Sequence, residues 1–243
     1  MLCFREKKTV FSLLLLICTF ALIIAFRWEA ANSSTAVPTA AEPYYHGETG
    51  KKAVAFAMNV DWGEDYIPQV LSVLEKQEVK ITFFLTGRWS EKFPDVAHSL
   101  ADAGMEIGNH GLKHNSPNSM SYDENKADIA SAEEKIEAAT GIRPTLFAPA
   151  SGERDDQVLE AAEDLGYPVI LWSVDTIDWQ KPTAEVIVQR VTSKVSDGDI
   201  VLMHPTENTV KALPTLIRTL KKEGFHIVTV SELISYWSEQ RND

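Results

Sequence analysis

The chain has 243 residues, of which 44% are hydrophobic and 24% charged, a composition typical of a folded globular protein. Its 35 acidic and 23 basic residues give a formal net charge of −12, which argues against nucleic-acid binding because that function normally needs a basic face. Both cysteines, Cys3 and Cys18, lie near the N-terminus. The rest of the chain therefore contains no disulfide, no cysteine nucleophile and no four-cysteine metal site.

The first predicted element is an N-terminal membrane anchor over residues 1–27. Three basic residues and one acidic residue precede an uncharged apolar run from Thr9 to Phe26. This run is near the lower length limit of a membrane-spanning helix and somewhat long for a cleavable signal core. A removed signal peptide, with a distant cleavage site at 34–36, is the alternative and would give a secreted protein. Basic residues before the run place the N-terminus in the cytoplasm and the remainder outside the cell membrane.

A flexible tether is predicted over residues 28–51, and a folded domain over residues 52–238. The tether is rich in Ala, Ser, Thr and Pro and has no apolar periodicity. The domain begins where a clear strand pattern begins.

Within the domain, strand-like runs alternate with amphipathic helices. Apolar residues at helical spacing give 67–74 and 213–220 one apolar face each, and Ser121 with Glu124 predicts a capping box at the start of another helix. This alternation predicts an α/β fold with a parallel sheet covered by helices, either open or closed into a barrel. The seven predicted strands are Ala53–Val60, Lys80–Leu85, Glu106–Asn109, Thr145–Ala148, Pro168–Trp172, Asp199–His204 and Phe225–Thr229.

Polar and aromatic residues collect where five of these strands end. In a parallel α/β fold the carboxyl ends of the strands carry the site, so we expect these residues to share one rim. In chain order they are Asn59 and Asp61, then His110 and His114, then Pro149, then Asp178 and Trp179, and finally His204.

Histidine and carboxylate chemistry is what this rim can offer. His110 and His114, four residues apart, can join a carboxylate such as Asp61 to bind Zn²⁺ or a similar divalent ion with open positions. Such an ion activates water and polarises a carbonyl, as amide or ester hydrolysis requires. His204 can protonate a leaving nitrogen if a carboxylate such as Asp178 orients it. The alternative for His110 and His114 is a pair on the protein surface that binds no metal. The alternative for Asp178 is an ordinary surface loop in which the neighbouring Trp179 packs.

In order and spacing these segments resemble the polysaccharide deacetylases that share the NodB homology domain, carbohydrate esterase family 4. The resemblance covers about residues 53–236 and touches all five family motifs. It implies a distorted (β/α)7 barrel that removes N-acetyl groups from peptidoglycan, chitin-like or related glycans with a divalent ion, zinc, cobalt or another. The roles it implies are metal ligand for Asp61, His110 and His114, general acid for His204, tuning of that acid for Asp178, and substrate binding for Pro149, Trp179 and Leu202.

Two positions depart from the family pattern. The family's first motif supplies an Asp as catalytic base, and its third motif begins with an Arg that pairs with that base. The corresponding residues here are Asn59 and Ala148. An amide cannot accept the proton of water, and an Arg left facing it would be an uncompensated buried charge that costs ~3–5 kcal/mol. The two losses are therefore consistent with each other.

The first motif also has a second possible register. In it Asp61 takes the base position and Trp62 the ligand position, which removes the metal triad. In the register with Asn59 at the base position, Glu64, Asp65 or His204 are further candidates for the base. Two hypotheses follow: a metal-dependent N-deacetylase of cell-wall glycan with an impaired base, or a catalytically inactive relative that binds the glycan. Shorter motifs, including 61–63 and 83–89, resemble sporulation-associated deacetylase-like proteins of endospore-forming bacteria.

Overall fold

The structure, a computed structural model, describes residues 42–240. Its strands are β1 (Ala53–Val60), β2 (Thr82–Leu85), β3 (Glu106–Asn109), β4 (Val174–Asp175), β5 (Ile200–Met203) and β6 (His226–Val228). Its helices are α1 (Ile67–Lys76), α2 (Gly87–Lys92), α3 (Pro94–Asp102), α4 (Tyr122–Thr140), α5 (Asp156–Asp164), α6 (Ala184–Thr192), α7 (Glu207–Lys222) and α8 (Val230–Gln240). The predicted anchor lies outside the described residues. Within 42–240 no helix is both long enough and apolar enough to cross a membrane.

The strands form one parallel sheet in the order β3-β2-β1-β5-β4, with β6 pairing the first residues of β1. Isolated bridges continue the pairing from β3 to Phe147 and from Phe147 to Val169. The segment that follows Val169 reaches β5 through the Ser173 amide and through β4. The predicted α/β class with a parallel sheet and covering helices is confirmed.

The predicted strands at 145–148 and 168–172 are wrong as regular strands. Both segments pair only through isolated bridges, and the regular strand β4 begins later, at Val174. Proline explains the difference, because Pro144 and Pro149 bracket the first segment and Pro168 begins the second. A proline has no N–H to donate to a ladder, which leaves too few paired residues for a strand.

The two faces of β1 explain how the sheet positions the site. Val54 and Phe56 face the layer of buried side chains under the helices, whereas Ala53 and Ala55 face the inner side, in a second cluster that includes Trp237. Side chains alternate along a strand, so Asn59 continues the inner face at the carboxyl end of β1. The helices pack as their periodicity predicts, and α4 begins with the predicted capping box.

The predicted tether at 28–51 is too long, because its last residues are bound to the domain. The Tyr44 amide donates to the Val169 carbonyl at 2.8 Å, and the Tyr44 ring stacks on Trp237. Asp197 accepts hydrogen bonds from the amides of Thr49, Gly50 and Ala53. Sequence composition missed these contacts because Asp197 is about 150 positions away along the chain. Residues 28–41 of the predicted tether lie outside the described part.

Candidate functional site

A cavity of 410 Å³ opens at the carboxyl ends of the strands. The sequence-predicted residues that line it are Asn59, Asp61, His110, His114, Trp179, Leu202 and His204, and Trp62, Ser151, Trp172 and Asp175 complete the wall. The structure therefore brings together residues from four strands and their loops. Two predicted residues do not line the cavity: Asp178 lies behind His204, and Pro149 is outside the wall.

His204 and Asp178 form a buried acid–base pair at one side of the cavity. The Asp178 side chain is fully buried, and its Oδ1 accepts the Nδ1–H of His204 at 2.8 Å. Its Oδ2 accepts the His204 amide at 2.7 Å and the Thr209 hydroxyl at 2.6 Å. These bonds fix the imidazole and leave Nε2 as the ring nitrogen available to the cavity.

His110 lies at the buried floor of the cavity. Its Nδ1–H donates to the Ala148 carbonyl at 2.6 Å, so Nε2 of the neutral ring carries no proton. Burial lowers the pKa of His110 to about 3, and the bond to Ala148 opposes this shift only in part. The ring is therefore neutral at physiological pH, the form that can bind a metal ion. The His114 ring stands edge-on to it, with 5.1 Å between ring centroids.

The loop that joins the two histidines is shaped by contacts with α4. The Leu112 amide donates to Asp128 Oδ2 at 2.7 Å, and the Asn109 amide group donates to the Ile129 carbonyl at 2.9 Å. Gly111 has φ +77°, and a Cβ there would lie 2.8 Å from Asp128 Oδ2, so the tight loop requires glycine. Asp128 could not be predicted as a contact of this loop, because nothing in its local sequence pattern points to the loop.

Asp61, the predicted third ligand, is bound to Arg88. Arg88 Nε donates to Asp61 Oδ1 at 2.7 Å, and Arg88 Nη2 donates to Oδ2. The Thr86 hydroxyl also donates to Oδ1, at 2.8 Å. Both carboxylate oxygens are thus engaged by the protein.

The cavity contains the donor types that suit the divalent ion implied by the resemblance. Two imidazoles and a carboxylate are suitable donors for Zn²⁺. Among residues 42–240, however, no three His, Cys, Asp or Glu side chains are arranged to hold a metal ion. The donor types fit and their arrangement does not, because Asp61 points its oxygens at Arg88 and Thr86.

Asn59 lies at the predicted base position with its side chain almost fully buried. Its Oδ1 finds no hydrogen-bond partner in the described part of the chain. Such a buried group costs free energy when it is left unsatisfied, so Asn59 is an unused acceptor in a residue that lines the cavity. The amide has no ionisable proton-accepting group, in contrast to the Asp of the family pattern.

Aromatic residues form much of the cavity wall and extend beyond it. Trp62 stacks on the His204 ring at 6.1 Å between centroids, and Trp179 is 53% exposed. These two tryptophans also line an adjoining cavity of 460 Å³, and Trp172 lines another of 270 Å³ on the opposite side. Exposed indole rings beside a cavity are suited to stacking on the apolar faces of sugar rings. The sequence placed Trp62 and Trp172 at strand ends without assigning them a role.

Strained backbone clusters around the cavity. His114, Ser151 and Ile177 have φ between +51° and +55°, the left-handed region that non-glycine residues rarely adopt. Ile177 is β-branched, which makes this conformation more costly still, and its amide is held by Asp175 Oδ1 at 2.7 Å. Strain of this kind persists where the surroundings enforce it, commonly at functional sites.

Comparison with known proteins identifies the family. The polysaccharide deacetylase family model matches residues 46–170. A peptidoglycan-N-acetylglucosamine deacetylase of Bacillus cereus is 35% identical over 201 residues, with 79% of this chain and 94% of that protein covered. The chain belongs to the polysaccharide deacetylase family. This membership confirms the resemblance found in the motifs.

Further relatives include proteins without an assigned activity and one pseudoenzyme. YlxY of Bacillus subtilis, which is uncharacterised, is 39% identical over 193 residues, and the match covers 79% of this chain but only 60% of YlxY. The crystal structure of BA3943, a CE4 family pseudoenzyme from Bacillus anthracis, is similar with a TM-score of 0.77 and 42% identity, covering 79% of this chain and 68% of that one. The family therefore includes both hydrolases and a member described as a pseudoenzyme.

Proposed function

We propose that this chain is an N-deacetylase of cell-wall glycan, peptidoglycan or a chitin-like polymer, whose hydrolytic step is impaired. The observation that carries the proposal is the buried His204–Asp178 pair facing a cavity that also contains His110 and His114. Family membership and the named activity of the Bacillus cereus relative support the same reaction.

The chain's own residues suggest how the reaction proceeds. A sugar ring stacks on the exposed tryptophans, and its acetyl methyl group enters the apolar wall formed by Trp179 and Leu202. Water adds to the acetyl carbonyl and gives its proton to His204 Nε2, and His204 passes this proton to the leaving nitrogen as the C–N bond breaks, which releases acetate and the free amine. Asn59 can hydrogen-bond the water but cannot take its proton, so the first step is slow.

A divalent ion, Zn²⁺, Co²⁺ or another, is part of this proposal. Its support is a neutral His110 next to His114, with Asp61 in the same cavity wall. For Asp61 to become a ligand, its bonds to Arg88 must open. No reaction step above depends on the ion.

A second candidate is a pseudoenzyme that binds cell-wall glycan without hydrolysing it. Asn59 in place of a base favours it, and so does the hold of Arg88 on Asp61. The similarity to the pseudoenzyme BA3943 supports the same reading. In this candidate the aromatic cavity keeps its role and the acid–base pair is a structural remnant.

Acetate release from N-acetylglucosamine oligomers with added Zn²⁺ separates the two candidates. The impaired deacetylase predicts slow release by the native protein that His204→Ala abolishes, while oligomer binding measured by calorimetry persists in both. Arg143→Gln, which removes a solvent-exposed arginine bound to Glu133, is the control and should leave release unchanged. No release by the native protein, with binding retained, would contradict hydrolysis and leave the pseudoenzyme.

We also propose that the domain works outside the cytoplasm, attached to the cell membrane by residues 1–27. The support is the apolar run preceded by basic residues in the sequence. Membrane fractionation and protease protection in intact cells test this placement: a protected, cytoplasmic domain would contradict it. The resemblance of short motifs to sporulation-associated proteins stays a prediction.

A further inference from the structure

Arg88 is a cation beside the candidate metal position that the proposed reaction does not use. It engages both carboxylate oxygens of Asp61, one at 2.7 Å from Nε and the other through Nη2. A two-pronged guanidinium bond is the strongest form of charge-assisted hydrogen bond to a carboxylate. It occupies the lone pairs that a metal ion would need.

The main chain fixes Arg88 beside the histidine loop. The amides of Gly87 and Arg88 donate to the carbonyls of Gly111 and Leu112 at 3.0 and 2.9 Å. Both acceptors lie between His110 and His114. The start of α2 is thereby attached to the loop that carries the imidazoles, so the guanidinium reaches Asp61 from a position next to the other two donors.

Exposure differs sharply between the two partners. The Arg88 side chain is 51% exposed and that of Asp61 only 10%. Arg88 can therefore swing into solvent without becoming a buried unpaired charge, whereas Asp61 cannot leave the cavity wall. When Arg88 leaves, the buried carboxylate needs another cation.

We propose that Arg88 is an internal competitor of the divalent ion for Asp61. Without the ion, the guanidinium neutralises Asp61 and keeps the three-donor set from forming. Binding of the ion replaces one cation with another, so Arg88 lowers the apparent metal affinity of the chain. The inference rests on the proposed function, because that proposal includes an ion at His110 and His114.

The test measures Zn²⁺ affinity of the purified full chain by competition with a fluorescent chelator, and acetate release is measured separately. Arg88→Gln removes the charge, whereas Arg88→Lys keeps the charge but cannot bind both carboxylate oxygens in the two-pronged way. Arg143→Gln is the control, because it removes a similar arginine–carboxylate pair far along the chain. Because an ion pair with one half-exposed partner contributes on the order of 1 kcal/mol, Arg88→Gln should bind Zn²⁺ about 5- to 10-fold more tightly than the native chain. Arg88→Lys should fall between them, and Arg143→Gln should match the native chain.

Further variants locate the gain at this site. Asp61→Asn in the Arg88→Gln background should remove the extra affinity, because the freed carboxylate is its source. Equal or weaker Zn²⁺ binding by both Arg88 variants would overturn the inference, as would the same gain in Arg143→Gln. If Arg88→Gln does not fold, the comparison of Arg88→Lys with the native chain decides. Tighter binding in Arg88→Gln together with no acetate release by any variant would count against the hydrolytic function alone.

Discussion

Asp178 is the position where a single substitution tests both the stability and the geometry of the site. Its buried carboxylate accepts three hydrogen bonds, two from His204 and one from Thr209. Asp178→Ala leaves the part-buried His204 amide without its acceptor, while the Thr209 hydroxyl keeps a bond to Thr206 at 2.8 Å. With this amide unsatisfied and a charge-assisted bond lost, we expect a loss of about 3 kcal/mol in the free energy of unfolding.

Thermal unfolding of the full chain, followed by circular dichroism, measures this loss. For a domain of this size about 3 kcal/mol corresponds to a melting temperature lower by roughly 6–12 °C. Asp102→Ala, at an exposed position on α3, is the matched control and should shift the melting temperature by less than about 2 °C. If Asp178→Ala melts within 2 °C of the native chain, the buried hydrogen-bond network described here is not formed.

Three further predictions concern other parts of the domain. Gly198→Ala should prevent stable folding, because Gly198 has φ +83° and a Cβ there would lie 1.3 Å from the Gly47 carbonyl oxygen; a soluble variant melting like the native chain would contradict this. Burial raises the pKa of Asp197, but hydrogen bonds from residues 49–53 bring it below its usual value. A carboxylate with a lowered pKa stabilises the folded state above its unfolded pKa, and this stabilisation is lost as the pH falls through its folded-state pKa. The difference in unfolding free energy between the native chain and Asp197→Asn should therefore narrow from pH 6 to pH 3 in urea titrations. Trp179→Ala should weaken binding of N-acetylglucosamine oligomers about 10-fold in calorimetry with an unchanged melting temperature, since the ring is exposed; unchanged binding would remove Trp179 from the sugar site.

Local sequence patterns predicted much of the fold. The strand at Ala53–Val60 has the predicted bounds because a buried strand in a parallel sheet is an almost continuous apolar run. The strand at Glu106–Asn109 also has the predicted bounds. The capping box at Ser121 is equally local and was equally predictable. The segments at 145–148 and 168–172 were mispredicted because their apolar residues suit a strand while the prolines beside them limit its hydrogen bonds.

The sequence predicted which residues lie at the candidate site but not which hydrogen bonds they make there. Asn59, His110 and His204 were expected on one rim because parallel strands deliver their carboxyl ends to the same edge, and the structure places them in one cavity. The pairing of Asp61 with Arg88 could not be read from the chain, since it depends on α2 docking against the histidine loop. The same limit applies to the attachment of residues 44–51 to the domain.

The central claim, a deacetylase impaired at its base, is tested most directly by restoring the missing pair. Acetate release from N-acetylglucosamine oligomers with Zn²⁺ should be compared for the native chain and for the Asn59→Asp, Ala148→Arg double variant. Restored base catalysis predicts a rise of ~10²–10⁴-fold that His204→Ala abolishes. A folded double variant that binds the oligomer and releases no more acetate than the native chain would contradict the account.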